Sequence, residues 1–126
     1  DGIRDYKVTG VQTCALPISN IDYKRKANCS DTGGIYLIVC VQCFTKYVGQ
    51  TDRTFRERIG EHLRDVTCMK STTIGNHFNN RKCFRCHFRW IILDAKITDT
   101  NERRKLESYY IDKLLTLSPN GLNEKF

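Results

Sequence analysis

The sequence predicts a small α/β (α+β) domain, a three-stranded antiparallel sheet flanked by helices. Two short β-type runs, Gly34–Val41 and Thr45–Gln50, are split by the turn Gln42–Phe44, as in a β-hairpin. Two later segments each open with a helix-capping signature and continue with apolar residues at helical spacing. Between those helices lies a third strand-like run, Phe88–Asp94.

Residues 20–33 are polar and basic and read as a lead-in to the domain. Gly34–Val41 is rich in Ile, Tyr, Leu and Val, which suit a pleated, half-buried surface. Gly49 falls inside the return strand, at a position where backbone passes closely. Thr54 and Glu57 make a capping box, and Phe55, Ile59, Leu63 and Val66 give one apolar stripe. Thr73–Asn79 reads as a short helix containing His77, and Asn80–Cys86 as a basic, Cys-bearing loop. In the third strand Trp90 and Ile92 share a face. Asp99 and Glu102 make a second capping box for a helix that runs to about Leu117 and buries Leu106, Tyr110, Ile111 and Leu114. Pro119 ends it, and Asn120–Asn123 turns the chain.

Residues 1–18 resemble the in-frame translation of a short-read sequencing adapter. Asp1–Asp5 and Val8–Ile18 carry the likeness, and Tyr6-Lys7 fills the gap where an index lies. Residues 1–19 are therefore set aside as a non-native tail, expected to be disordered. Asp1, Asp5, Arg4 and Lys7 cancel, so the formal charge of +7 belongs to the remaining chain. About a hundred residues suffice for one domain with one core. The basic residues gather at Lys24–Lys26, Arg53/Arg56/Arg58, Arg81-Lys82/Arg85 and Arg103–Lys105. Such a domain attracts polyanions, nucleic acid first among them, although charge alone does not separate this from solvated helix faces.

The chemistry-bearing residues are more specific. Tyr36 and Tyr47 fall on adjacent predicted strands, within Gly34-Ile35-Tyr36 and Tyr47-Val48-Gly49. Arg58 and His62 are one turn apart on the first helix. Glu107 lies beside Tyr110, Ile111 and Leu114 on a buried flank, which is costly for a carboxylate unless a charge or metal compensates it. Two phenols, a guanidinium, an imidazole and one carboxylate suit phosphodiester hydrolysis. Singly, each has an ordinary role: cross-strand aromatic packing, a solvated helix face, a core-edge salt bridge.

Taken in order, and followed by Pro119 and Asn123, the set resembles the GIY-YIG endonuclease family over residues 34–126, with Val48 in place of the family's Ile. The resemblance implies a divalent-metal-dependent endonuclease that hydrolyses DNA. It gives Glu107 as the protein ligand of Mg²⁺ or Mn²⁺, a hard ion whose octahedron water and phosphate oxygens complete. Arg58 would hold the scissile phosphate, and Tyr36 would activate the attacking water. Tyr47 and His62 would complete the proton-handling network. Asn123 would fix the site by hydrogen bonding, with Asn120 as the alternative match. Two other readings stand beside it: a catalytically inactive nucleic-acid-binding module of the same fold, and a DNA-repair or restriction GIY-YIG nuclease.

Cys40–Cys43, Gln50–Thr54, Asn76–Asn79 and Leu115–Asn123 are similar to the C-terminal endonuclease domain of Penelope-like retroelements. That likeness implies an upstream reverse transcriptase in the intact protein, nicking of chromosomal DNA and a nuclear location. With Cys14 set aside, six cysteines remain, and the basic charge points to a reduced, intracellular protein. No run is long and apolar enough for a membrane helix. Cys40-x-x-Cys43 and Cys83-x-x-Cys86 have the spacing of two zinc half-sites, and four thiolates would close a structural site. The gap between them exceeds that of common zinc modules, which favours free thiols. Cys83–His87 also matches a c-type haem attachment pattern, discounted for its basic, polar surroundings.

Overall fold

A computed structural model of the chain describes residues 28–80 and 82–125. The adapter-like stretch and the basic run Lys24–Lys26 lie outside the described residues, as do Arg81 and Phe126. The elements are β1 (Thr32–Cys40), β2 (Lys46–Thr54), α1 (Phe55–Thr67), α2 (Thr73–His77), β3 (Phe88–Asp94) and α3 (Thr100–Lys113), with a 3-10 turn at Arg85–His87 before β3. The sheet is three-stranded and antiparallel throughout, in the order β2-β1-β3. No helix among the described residues is long and apolar enough to cross a membrane.

β1 is the middle strand, paired along both edges, and with helices packed on each face of the sheet its residues alternate between two cores. Tyr36, Ile38 and Cys40 join Trp90 and Ile92 against Phe55, Ile59 and Val66 of α1 and Ile74 of α2. Ile35 and Leu37 join Val48 and Leu93 against Ile111 of α3, with Leu106, Tyr110 and Leu114 packed around them. Helices thus lie on both faces of the sheet. The two motif glycines set the spacing of these layers. A Cβ on Gly34 would collide with the Asp94 carbonyl and the Phe55 ring, and one on Gly49 with the Tyr36 ring. Gly49 is opposite Tyr36 in the ladder. The close approach expected there is made by the phenol of the neighbouring strand.

Both helix starts follow the sequence. Thr54 caps α1 with a full capping box to Glu57, a feature worth about 1 kcal/mol. At the start of α3 the Asp99 carboxylate accepts the Glu102 N–H, but the reciprocal bond from the Glu102 side chain that would complete the expected capping box is not made.

Several boundaries differ; α2, for one, ends at His77 rather than Asn79. β2 continues to Thr54, beyond the expected Gln50, because Thr32 and Thr54 pair across a bulge at Gly33. The exposed Asp52 and Arg53 hide this extension in the sequence. The lead-in 20–33 accordingly contributes Thr32 and Gly33 to β1, and Cys29 to the core. α3 stops at Lys113, before both Leu117 and Pro119. Leu115 takes a left-handed conformation (φ 55°), and the Thr116 N–H bonds back to the Ile111 carbonyl. Thr116 and Ser118 then exchange backbone hydrogen bonds with Asn123, which an extended helix would forbid.

Arg103 also departs from expectation. It does not join a basic surface but is buried, 4% exposed, donating to the Ile97 and Thr98 carbonyls, to Gln50 Oε1 and to Thr100 Oγ1. One turn before Glu107, it ties α3 to β2.

Candidate active site

Tyr36 lies fully buried on β1, and its hydroxyl is 2.7 Å from Nε2 of His62 on α1. Arg58, one turn earlier on α1, donates from Nε to the same hydroxyl at 3.2 Å. A guanidinium only donates, so the Tyr36 oxygen accepts from Arg58. Among the described residues, His62 Nε2 is then the acceptor that the phenol proton can reach. The assignment that uses both the phenol proton and the Nε2 lone pair has Tyr36 donating to an unprotonated Nε2, with the histidine proton on Nδ1. Burial, reinforced by the Arg58 charge, lowers the His62 pKa to about 3, consistent with a neutral ring. Burial raises the Tyr36 phenol well above its ordinary range, with Tyr47 adding to the shift and Arg58 opposing it.

Tyr47 of β2 packs edge-on against the His62 ring, with centroids 5.9 Å apart, and burial raises its phenol too. Glu107 enters from α3 beside Tyr47 of β2, in a cavity of about 230 Å³ lined by Tyr47, Thr73, Glu107, Leu122, Asn123, Glu124 and Lys125. Burial raises the Glu107 carboxyl, opposed by Arg104. No hydrogen bond or ion pair to a described residue compensates Glu107. That rules out the core-edge salt bridge as its role among those residues.

Asn123 does not line the chemistry with a free side chain. Its carboxamide accepts from the Val48 N–H (2.8 Å) and donates to the Val48 carbonyl (2.8 Å), and it also accepts from Thr116 Oγ1 (2.7 Å). It therefore fixes the strand segment between Tyr47 and Gly49. Asn120, the alternative match, is exposed in the turn. The structure thus brings Tyr36, Tyr47, Arg58 and His62 into one network, sets Glu107 beside Tyr47, and uses Asn123 as the bracket behind them.

Glu61 is a residue that the sequence did not single out. It accepts from Arg58 Nη1 at 2.9 Å and from Arg53 Nη1 and Nη2 at 2.6 and 2.7 Å. Those contacts, Arg53 foremost, hold its carboxyl down at about 2. Arg58 is therefore fixed at both ends, by Tyr36 and by Glu61. The only sequence signal for this pairing was the placement of Arg58 and Glu61 at helical i,i+3 spacing.

The cysteines depart from the expected set. Cys40, Cys43 and Cys83 gather with His77, their ligand atoms all within 4.8 Å of one another, and Cys43 Sγ is 3.4 Å from His77 Nε2. Cys86 does not belong to this group. It is exposed on the 3-10 turn, which directs the second cysteine of the C-x-x-C pair away, and His77 at the end of α2 stands in its place. Burial pushes the Cys83 thiol up to about 12 and lowers the His77 pKa.

The His62 shift has a consequence for stability. Below the unfolded pKa of about 6.5 the unfolded chain binds a proton here that the folded chain refuses, down to about pH 3. The contribution is therefore complete above pH 6.5 and is lost as the pH falls. In urea titrations at pH 7 and pH 4.5, His62→Gln is expected to lose about 2–3 kcal/mol less than wild type between the two. Equal losses would refute the buried neutral imidazole.

Residues 32–123 match the GIY-YIG catalytic domain family. The catalytic domain of homing endonuclease I-TevI is similar in structure, with a TM-score of 0.64 and 23% identity over 75% of this chain and 100% of that one. A mutant catalytic domain of intron endonuclease I-TevI gives 0.60 and 23% over 71% and 89%. No curated protein sequence matches. At this identity the structural likeness speaks for the fold alone, but the family match spans both half-motifs, α1, α3 and the Asn123 bracket. The chain belongs to the GIY-YIG catalytic domain family and is a nuclease domain of that fold.

Proposed function

We propose that this chain is a divalent-metal-dependent endonuclease that nicks DNA. The observation that carries the reading is the Tyr36–His62–Arg58 network beside Glu107, a half-buried carboxylate that makes no hydrogen bond or ion pair with a described residue. Such a carboxylate fits a hard divalent cation, which restores by coordination what burial removes. When bound there, Mg²⁺ or Mn²⁺ supplies Lewis acidity to the phosphate and stabilises the leaving 3′ oxygen.

The chain's own residues perform the rest. With a raised pKa, Tyr36 is a poor base on its own, so it works as a relay. The attacking water gives its proton to the Tyr36 oxygen as the phenol proton passes to His62 Nε2, whose basicity, low in the free domain, rises when the phosphate charge arrives beside it and pairs Arg58. The resulting hydroxide forms the new P–O bond while the P–O3′ bond breaks. Arg58, held by Tyr36 and Glu61, offers its remaining N–H donors to the charge that builds on the phosphate. Tyr47 packs against His62 and keeps the imidazole edge oriented.

Supercoiled plasmid in Mg²⁺ tests this. Relaxation that is abolished by EDTA supports the nuclease, and DNA binding without any nicking would leave a silent binding module instead. The origin we infer is a Penelope-like retroelement, in which this domain follows a reverse transcriptase and acts in the nucleus on chromosomal DNA. The cysteine-bearing hairpin and the Leu115–Asn123 ending support that origin.

The second metal we propose is structural zinc on Cys40, Cys43, His77 and Cys83. A tetrahedral zinc with bonds of about 2.3 Å to sulfur places its thiolates about 3.8 Å apart, within the spacing of this cluster. The site joins the hairpin turn to α2 and the loop after it, and it frees the reading from the long sequence gap. Reduced protein is expected to carry about one zinc, and Cys40→Ser to lose it together with at least about 2 kcal/mol, or roughly 10 °C in Tm. Metal-free wild type with an unchanged Tm in chelator would refute it.

A further inference from the structure

Arg53 and Glu61 make a contact that the relay above does not use. Arg53 stands at the end of β2, on the extension that the bulge at Gly33 creates, one residue before the cap of α1. Its guanidinium meets Glu61 through both Nη atoms, while Arg58 binds the same Oε1. Two guanidinium groups therefore face one carboxylate, and Nη2 of Arg53 lies less than about 6 Å from Nη1 of Arg58. The three side chains together carry one net positive charge.

Stability does not explain the arrangement. The Arg53 and Glu61 side chains are 46% and 29% exposed, and an ion pair in such a setting contributes little. What the pair does is fix direction. Bound through Nη1 and Nη2, Arg53 keeps three of its five N–H donors for another acceptor. Arg58 likewise uses Nε and Nη1 and keeps three. Both forks are thus oriented before any ligand arrives, and they lie close enough together to face one stretch of phosphate backbone.

We propose that Arg53 is a second phosphate-binding residue, gripping the phosphate next to the scissile one while Arg58 takes the scissile phosphate itself. Glu61 positions both guanidinium groups. The ligand class is a nucleic-acid backbone, and Arg53 reads no base. This deepens the proposed nuclease reading and rests on it for the scissile position alone.

The experiment uses the full chain and a DNA duplex, with Ca²⁺ in place of Mg²⁺ to prevent cleavage. Binding is measured against salt for wild type, Arg53→Ala and Arg53→Lys. Removal of one phosphate contact should reduce the slope of log K against log salt by about 1 in Arg53→Ala. Arg53→Lys should restore the slope, because the charge returns without the fork. With Mg²⁺, Arg53→Ala should raise KM about tenfold and leave kcat within about twofold, as one phosphate-fixing contact predicts. An unchanged salt slope overturns the proposal, and so does a fall in kcat at constant KM. A wild-type chain that binds no DNA overturns it as well. A wild-type chain that binds with the expected slopes but does not nick refutes the nuclease reading and leaves Arg53 as a phosphate contact.

Discussion

Glu107→Ala and Glu107→Gln should each reduce plasmid nicking by about 10²–10³-fold or more, the scale on which removal of one charge-stabilising group acts. The same substitutions should not destabilise the fold. Glu107 carries a raised pKa because burial disfavours its charged form, so the folded state holds this proton more tightly than the unfolded state. Its contribution therefore worsens as the pH rises through the carboxylate range, and Glu107→Gln should melt at or above the wild-type temperature at pH 7. Divalent metal reverses the comparison. A cation that binds only the folded state stabilises it by mass action, so Mg²⁺ or Mn²⁺ should raise the wild-type Tm and leave Glu107→Gln unmoved. Activity, stability and metal response together separate a metal-binding carboxylate from a structural one. A variant that nicks normally, or a wild-type Tm indifferent to both ions, would remove Glu107 from the site.

The second large effect falls on stability. Asn123→Ala should cost roughly 3–5 kcal/mol in urea or thermal unfolding. The side chain is 5% exposed and satisfies the Val48 N–H, the Val48 carbonyl and the Thr116 hydroxyl. Truncation leaves all three with no side-chain partner, and each buried unpaired group costs about 1–3 kcal/mol. Asn123→Asp is a sharper probe. It preserves the acceptor but sets a carboxylate oxygen against the Val48 carbonyl, so it should recover little. Activity should fall in both, because the bracketed residue lies between Tyr47 and Gly49. A loss below about 1 kcal/mol for Asn123→Ala would show that water takes over the role of the amide.

What the sequence reveals, and what it hides, follows from the range of the interactions. β3 was legible to its end residues because Phe88–Asp94 alternates cleanly between the two cores. The start of α1 was legible because the Thr54–Glu57 capping box is complete within four residues. Glu107 was legible as an anomaly, a carboxylate written into an apolar flank. The end of α3 was not, because it is set by contacts between Thr116–Ser118 and Asn123 that no local pattern encodes. Arg103 read as surface charge, since its partners lie on β2 and the β3–α3 connection. Glu61 was not singled out, because its partner Arg53 reaches it only through the bulged extension of β2. The cysteine set failed for the converse reason. Cys83-x-x-Cys86 is a persuasive local pattern, yet the 3-10 turn separates its two thiols and the fold recruits His77 from α2.

The Asn123 carboxamide offers one N–H and one C=O to Val48, side by side, as a neighbouring strand would. The Leu122 N–H adds a third such contact at the Lys46 carbonyl. β2 is an outer strand of its sheet, and an outer strand with free backbone groups invites pairing with another molecule. The chain's final turn thus serves as a one-residue false strand that closes this edge. Loss of Asn123 should therefore appear as self-association as well as a lower melting point, with aggregation that grows with concentration and begins along β2.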